Sequence, residues 1–164
     1  VESLPDFYPD AAWQRCAVHF YRDIMTVVPN TKVEEVMRLV KTIHSQESIK
    51  SSEAKASFVA QKLKEMKLNK AAGIIENSAS ETLSYYKFPP QHWKHIKTNN
   101  LLERINKEIR RRTRVVGSFP DAQSALMLVA ARLRHIMTSK WGSVRYMNMD
   151  LLFEMDRENE QIAV

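Results

Sequence analysis

Apolar residues recur at helical spacing along most of this chain, and that period is the strongest constraint on its fold. Val33, Val36, Met37, Val40 and Ile43 form one i, i+3, i+4, i+7 stripe. Thr31 stands where it can cap that helix, with Glu34 three residues on to complete a capping box. Ser51 or Ser52 can cap a second helix that turns Ala56, Val59, Ala60 and Leu63 inward. Shorter helices are expected over 70–77 and 80–87, the latter stopping before Pro89-Pro90. Near the end, Asp121 can cap an apolar helix through Leu126, Val129, Ala130, Leu133 and Ile136, closed at Trp141-Gly142. An acidic amphipathic segment follows over 150–159. The pattern also turns helical from His19 to Val28, where Pro29-Asn30-Thr31 ends it. Residues 12–18 are too short for periodicity to decide between strand and helix. Only 3 glycines and as many as 8 methionines agree with a mainly α chain.

At 164 residues the chain has the size of one ordinary domain. Cys16 is the single cysteine, so no intrachain disulfide can form, which fits a reducing cytoplasm. No apolar run approaches the ~20 residues of a membrane span, so no membrane partner is expected. The start, Val1-Glu2-Ser3-Leu4-Pro5, is not a signal peptide, and without an initiator Met it reads as the interior of a longer protein.

The net charge of +6 has a location. Between His92 and Arg114 stand eight basic residues and two acids, Glu103 and Glu108, while the rest of the chain carries seventeen of each sign. A basic stripe this confined is the footprint of a polyanion, or else a solvated face that meets an acidic protein.

The stripe lies on its own helix. After an extended or irregular lead-in over 92–98, Asn99 or Asn100 can cap a helix that runs to about Arg112. Leu101, Leu102, Ile105 and Ile109 make its inward face. Glu103, Asn106 or Lys107, and Arg110 share another face, because positions seven apart nearly eclipse. A carboxylate at the border of an apolar face, beside guanidiniums that can take phosphate, suits metal-assisted phosphoryl chemistry. The same spacing also describes an ordinary surface ion-pair face. Cys16 with His19, and His92 with His95, could together form a one-cysteine, three-histidine zinc set. Alternatively, Cys16 is a buried apolar residue and His19 bonds locally. Trp13 and Trp141 are expected in the core.

Three stretches resemble the mutator-type transposases of bacterial insertion sequences: Lys97 to Gly117, Trp13 to Arg22, and Phe119-Pro120-Asp121 with Ser124-Ala125-Leu126, Ala131 to His135 and Arg145 to Asn148. They run in family order and cover nearly the whole chain, with a looser match over 30–90. The resemblance implies the C-terminal portion of a ribonuclease H-like α/β catalytic core with an all-helical insertion. Residues 1–29 would end the first part of the core with the C-x2-H segment, 30–90 would be the insertion, and 91–164 the C-terminal core helices.

Glu103 would be the glutamate of a metal-binding DDE triad, and so both a catalytic and a metal residue. Cys16 and His19 would be the family's C-x2-H structural motif. Mg²⁺ or Mn²⁺ would need two aspartates from outside this chain, since Asp6, Asp10 and Asp23 do not stand in the matching context. DNA, as transposon ends and target, would meet Lys97, Asn100, Arg104, Lys107, Arg110, Arg111, Arg112 and Arg114. The family reaction is metal-dependent DNA strand cleavage followed by strand transfer in the bacterial cytoplasm, at the nucleoid, by a homo-oligomer. One glutamate cannot hold two ions, so the chain alone is expected to be inactive. Two other readings remain: a non-catalytic remnant that binds DNA or dimerises with intact copies as an inhibitor, and a helical module whose basic face meets an acidic protein.

Overall fold

The computed structural model describes residues 4–9 and 11–162; Val1-Glu2-Ser3 and Asp10 lie outside the described residues. Among them the elements are helices, with no strand: α1 (Leu4–Phe7), α2 (Ala17–Val27), α3 (Val33–Lys41), α4 (Ile49–Glu65), α5 (Asn69–Ser78), α6 (Trp93–Ile96), α7 (Asn100–Val116), α8 (Ala122–Thr138) and α9 (Met149–Ile162). The mainly α expectation holds for these residues.

One core joins α2 to α5. Phe20, Ile24 and Val28, at i, i+4 and i+8, meet Val36 and Val40 of α3, Ile43, and the Val59-Ala60-Leu63 face of α4. Ala71 and Ala72 of α5 are fully buried, and their small side chains let α5 pack closely against α4 and α2. An aromatic layer closes one side: Tyr85 and Tyr86 stack at 4.4 Å, and Trp93 stands edge-on to Tyr86 at 4.7 Å.

Several helix ends differ from expectation for identifiable reasons. Thr31 sits inside a 3₁₀ turn, Asn30–Lys32, and so does not cap α3. Ser48, not Ser51 or Ser52, caps α4 by accepting the Ser51 N–H at 3.2 Å. Ser52 is buried instead, and its hydroxyl donates to the Ile43 carbonyl at 2.8 Å. α4 stops at a Schellman turn: Leu68 N–H donates to Leu63 O at 2.8 Å, and Lys67 takes φ +62° in the position where glycine is usual. The expected helix over 80–87 is two 3₁₀ turns, Ser80–Thr82 and Ser84–Lys87. The N-terminal segment takes the groups a continuous helix would use. Arg15 N–H bonds Glu81 O at 2.8 Å, and Tyr85 N–H goes to Gln14 Oε1 at 2.9 Å.

Trp13 is 52% exposed and is not a core residue; only its carbonyl is engaged, accepting from Ser84 Oγ. Trp141 is half-buried. The helix expected to end near Arg112 continues to Val116, where Gly117 at φ +78° turns the chain. Its Leu101-Leu102-Ile105-Ile109 face is not buried: no residue of α7 is, and Leu102 is 60% exposed. Asp121 caps α8 as expected, Oδ1 accepting the Ser124 N–H at 2.6 Å, while Leu126 faces solvent and Ile136 alone on α8 is buried. A Cβ on Gly142 would overlap the Met137 carbonyl oxygen, so the turn after α8 needs glycine there.

At the centre of the core, His44 Nδ1 accepts from the Tyr21 hydroxyl at 2.8 Å and its Nε2 meets Thr82 Oγ1 at 2.7 Å. Thr82 spends its one proton on Ala79 O at 2.6 Å, so it accepts from His44 and fixes the Nε2–H tautomer. Burial, assisted by the Lys97 charge, lowers the His44 pKa from 6.5 to about 4.

The fold therefore holds neutral His44. Its contribution to stability is complete above pH 6.5 and is lost as pH falls toward 4, amounting to about 3 kcal/mol over that window. Urea unfolding at pH 7 and pH 4.5 is expected to show this loss in the parent chain and much less of it in His44→Gln; equal losses would remove His44 as the cause. Lys67→Gly is expected to stabilise the chain by about 1 kcal/mol, because glycine carries no penalty in the left-handed region. Thermal unfolding measures it, and a lowered Tm would contradict the assigned turn.

Candidate metal and nucleic-acid site on the basic helix

Two hydrogen-bonded junctions bring the N-terminal segment to the start of α7. Residues 13–15 are bonded to 81–85, and Ala17 N–H donates to Lys97 O at 2.9 Å. α2 therefore begins beside the first turn of α7. Cys16 occupies the position before α2, half-buried with a free thiol and making no side-chain cap. One turn later, His19 Nε2 lies 3.6 Å from Glu103 Oε1, each side chain nearly half exposed. The C-x2-H segment and the glutamate, 84 positions apart in the sequence, thus face each other.

They share an open groove of about 760 Å³ lined by His19, Arg22, Asn99, Glu103, Asn106, Lys107, Arg110, Arg111 and Arg114. Five cations and one carboxylate line it, so its potential is strongly positive, and a concave wall focuses that field. Of the residues singled out by sequence, Glu103, His19, Lys107, Arg110, Arg111 and Arg114 meet here. Cys16 and the four remaining DNA-contact candidates do not line it. Lys97 turns toward the Tyr85 ring, with Nζ 5.7 Å from its centroid. Asn100 lines a smaller hollow around the helix. Arg104 lies over the Trp141 ring at 4.7 Å. Arg112 is held to Glu108 at 3.5 Å.

Arg22 escaped the sequence reading, although it follows His19 by three residues and so shares its face of α2. Asn99 occupies the position expected of a cap but makes no side-chain cap bond; its Oδ1 is buried without a partner at the groove.

Glu108 organises a second cluster on α7, which shares Arg111 with the groove. Its carboxylate takes both the Nε and an Nη of Arg111, at 3.0 and 2.8 Å, pairs with Arg112 and bonds Arg132 of α8. The Arg111 hydrogen bond, with the charges of Arg111 and Arg132, holds its pKa down to about 2. This one acid docks α8 to α7 and offsets guanidiniums that would otherwise repel.

Among the described residues no three His, Cys, Asp or Glu side chains converge on a point that could hold a metal ion. The zinc set of Cys16, His19, His92 and His95 is therefore not assembled: His92 is buried with both ring nitrogens unpaired, while His95 packs edge-on to Tyr146 at 6.3 Å. In the groove Glu103 is the one acid, so the side chains present supply a single carboxylate ligand rather than a metal site.

Residues 1–142 match the family described as "Transposase, Mutator family". The transposase for insertion sequence element ISRM5 of Rhizobium meliloti (strain 1021) is 34% identical over 165 residues, covering 100% of this chain and 40% of the relative. The transposase for insertion sequence element IS1081 of Mycobacterium tuberculosis is 35% identical over 88% of this chain and 34% of the relative. The transposase for IS256 in transposon Tn4001 of Staphylococcus aureus is 30% identical over 92% and 39%. The chain thus spans 34% to 40% of the length of these relatives.

Glu108 stabilises the fold in its charged form. That contribution is complete above pH 4.5 and fades as pH falls toward 2. Glu108→Gln is expected to loosen α8 from α7, seen as faster amide hydrogen exchange in 122–138 at pH 7; unchanged exchange there would mean that the arginine cluster does not dock α8.

Proposed function

This chain belongs to the Mutator family of transposases, and from that premise we propose that it is the C-terminal part of the catalytic domain of a bacterial insertion-sequence DNA transposase. In this reading the catalytic core is ribonuclease H-like. Residues 1–29 end its first part, 30–90 are an all-helical insertion and 91–164 are the C-terminal core helices. The strands of that core belong to the part of the longer protein that this chain does not cover.

Glu103 is one ligand of a DDE triad whose two aspartates lie in that same part. The ions are Mg²⁺ or Mn²⁺, which take hard oxygen ligands. Paired divalent ions serve the attacking and leaving oxygens of an in-line displacement. This chain's own residues do the positioning. Lys107, Arg110, Arg111 and Arg114 hold the phosphates of transposon-end or target DNA along the groove, and Arg22 closes it from α2. His19 orients the Glu103 carboxylate. Asn100, Arg104 and Arg112 on the same helix, and Lys97 just before it, are further DNA contacts outside the groove. The protein works at the nucleoid in the bacterial cytoplasm, as a homo-oligomer.

The observation that carries the reading is a single carboxylate set among five groove cations, beside the histidine of the C-x2-H segment. The same solitary acid favours a second reading. A chain with one metal ligand can bind DNA without cutting it, and its uncovered Leu101-Leu102 face can pair with intact copies, making it an inhibitor.

Filter binding of a duplex across a salt series tests the DNA contact. Arg110→Ala is expected to weaken binding and to reduce the slope of log K against log salt by about 1, as one phosphate contact is lost; an unchanged slope would take Arg110 off the DNA. The isolated chain with Mg²⁺ or Mn²⁺ is expected to leave a supercoiled plasmid intact, and nicking abolished by Glu103→Gln would overturn the incomplete-triad reading.

A further inference from the structure

Arg104 stands about 100° around α7 from Glu103, and so leaves the groove for a neighbouring face. There it meets a cluster of aromatic and basic side chains that the groove does not use. The Arg104 guanidinium lies over the Trp141 ring at 4.7 Å. Trp141 Nε1–H donates to the Tyr146 hydroxyl at 2.6 Å, which anchors the tyrosine. His95 stands edge-on to the Tyr146 ring at 6.3 Å and 78°. Lys94, Thr98 and Asn100 complete the wall of a hollow of about 180 Å³, too small for a duplex. An apolar hollow of about 300 Å³ adjoins it and shares Tyr146 and Leu101.

An aromatic wall beside two cations suits a ligand that is both flat and anionic. A pure core contact would not place Lys94 and Arg104 at the rim of an aromatic hollow. A duplex-phosphate contact would not need the rings. Aromatic faces beside guanidinium and ammonium groups are what an unpaired nucleotide uses: the base stacks on the ring, and its phosphate meets the cations. Neighbouring placement on one helix lets a strand cross the groove on Lys107 and deliver its unpaired end to this hollow.

We propose that the hollow bounded by Lys94, His95, Arg104 and Tyr146 is a second nucleic-acid subsite, which takes one unpaired nucleotide at the end of a DNA strand. It rests on the reading of the basic groove as a DNA site. Tyr146 is the stacking platform, and Lys94 with Arg104 binds the nucleotide's phosphate. Trp141, in the adjoining hollow, holds the Tyr146 hydroxyl through its indole N–H.

Fluorescence anisotropy at low salt, with one blunt duplex and the same duplex carrying a short single-stranded overhang, tests it. The parent chain is expected to bind the overhang duplex roughly tenfold more tightly. Tyr146→Ala should abolish that preference while leaving blunt-duplex affinity unchanged. Tyr146→Phe, which keeps the ring and loses the hydroxyl, should retain most of it, and Lys94→Ala should reduce it without disturbing the aromatic cluster. Circular dichroism shows whether each variant is folded; if Tyr146→Ala is not, the Tyr146→Phe and Lys94→Ala results decide. Equal parent binding of both duplexes overturns the subsite and leaves the groove reading standing. Preference that survives Tyr146→Ala overturns it as well. If neither duplex binds, the DNA reading of the groove fails and the subsite fails with it.

Discussion

A short run of hydrogen bonds between residues 13–17 and residues 81–97 sets the geometry on which the site depends. Gln14 reaches both the Thr82 carbonyl and the Tyr85 N–H, Arg15 N–H bonds the Glu81 carbonyl, and Ala17 N–H bonds the Lys97 carbonyl. Each joins positions more than 60 residues apart, so each closes a long loop at an entropic cost that the shared apolar core offsets. With this junction made, α2 starts next to α7, and His19 and Arg22 enter the groove that holds Glu103. The same bonds break the helix that residues 80–87 would otherwise form. Local propensity is given up there so that a distant segment can be held.

The second organising element is charge. A helix bearing six cations between Arg104 and Arg114 would repel itself without internal acids. Glu108 pairs with Arg111, Arg112 and Arg132, of which Arg111 also lines the groove, and among the described residues no acid pairs with Lys107, Arg110 or Arg114. Glu103 stays outside that cluster, and among the described residues its ion-pair partner is His19. The two glutamates thus have opposite tasks: one quiets the arginines that hold α8, while the other stands alone where a polyanion and a cation can both be met. Arg104 is drawn onto Trp141 instead.

Much of this was legible from sequence. The 3.6-residue period placed α3 to α5, α7 and α8, because burying one stripe per helix requires that spacing whatever the connections are. The confinement of the excess charge to one helix, and the shared face of Glu103, Lys107 and Arg110, also followed from spacing alone. Helix ends did not. Lys67 terminates α4 in a conformation that its side chain does nothing to signal, and Ser48 caps α4 where Ser51 and Ser52 offered equal chemistry. Trp13 looked like core because it is large and apolar, yet only its carbonyl is used. The Leu101 and Leu102 face reads as buried by pattern and is open in this chain, since a pattern says which side is apolar and not whether anything covers it.

By itself, then, the amino-acid sequence determined the helical class, the basic helix, the motifs that mark the family, and Glu103 as the residue to watch. These depend on residue type and near-neighbour spacing, which a linear string carries in full. Tertiary structure alone decided which residues share the groove. It put Arg22 in and left Arg112 out, turned Lys97 toward Tyr85, and assembled His95, Arg104 and Tyr146 around one hollow, with Trp141 behind Arg104 and Tyr146. Those partnerships join segments tens of residues apart, and they form only after the core has fixed the directions in which the helices run.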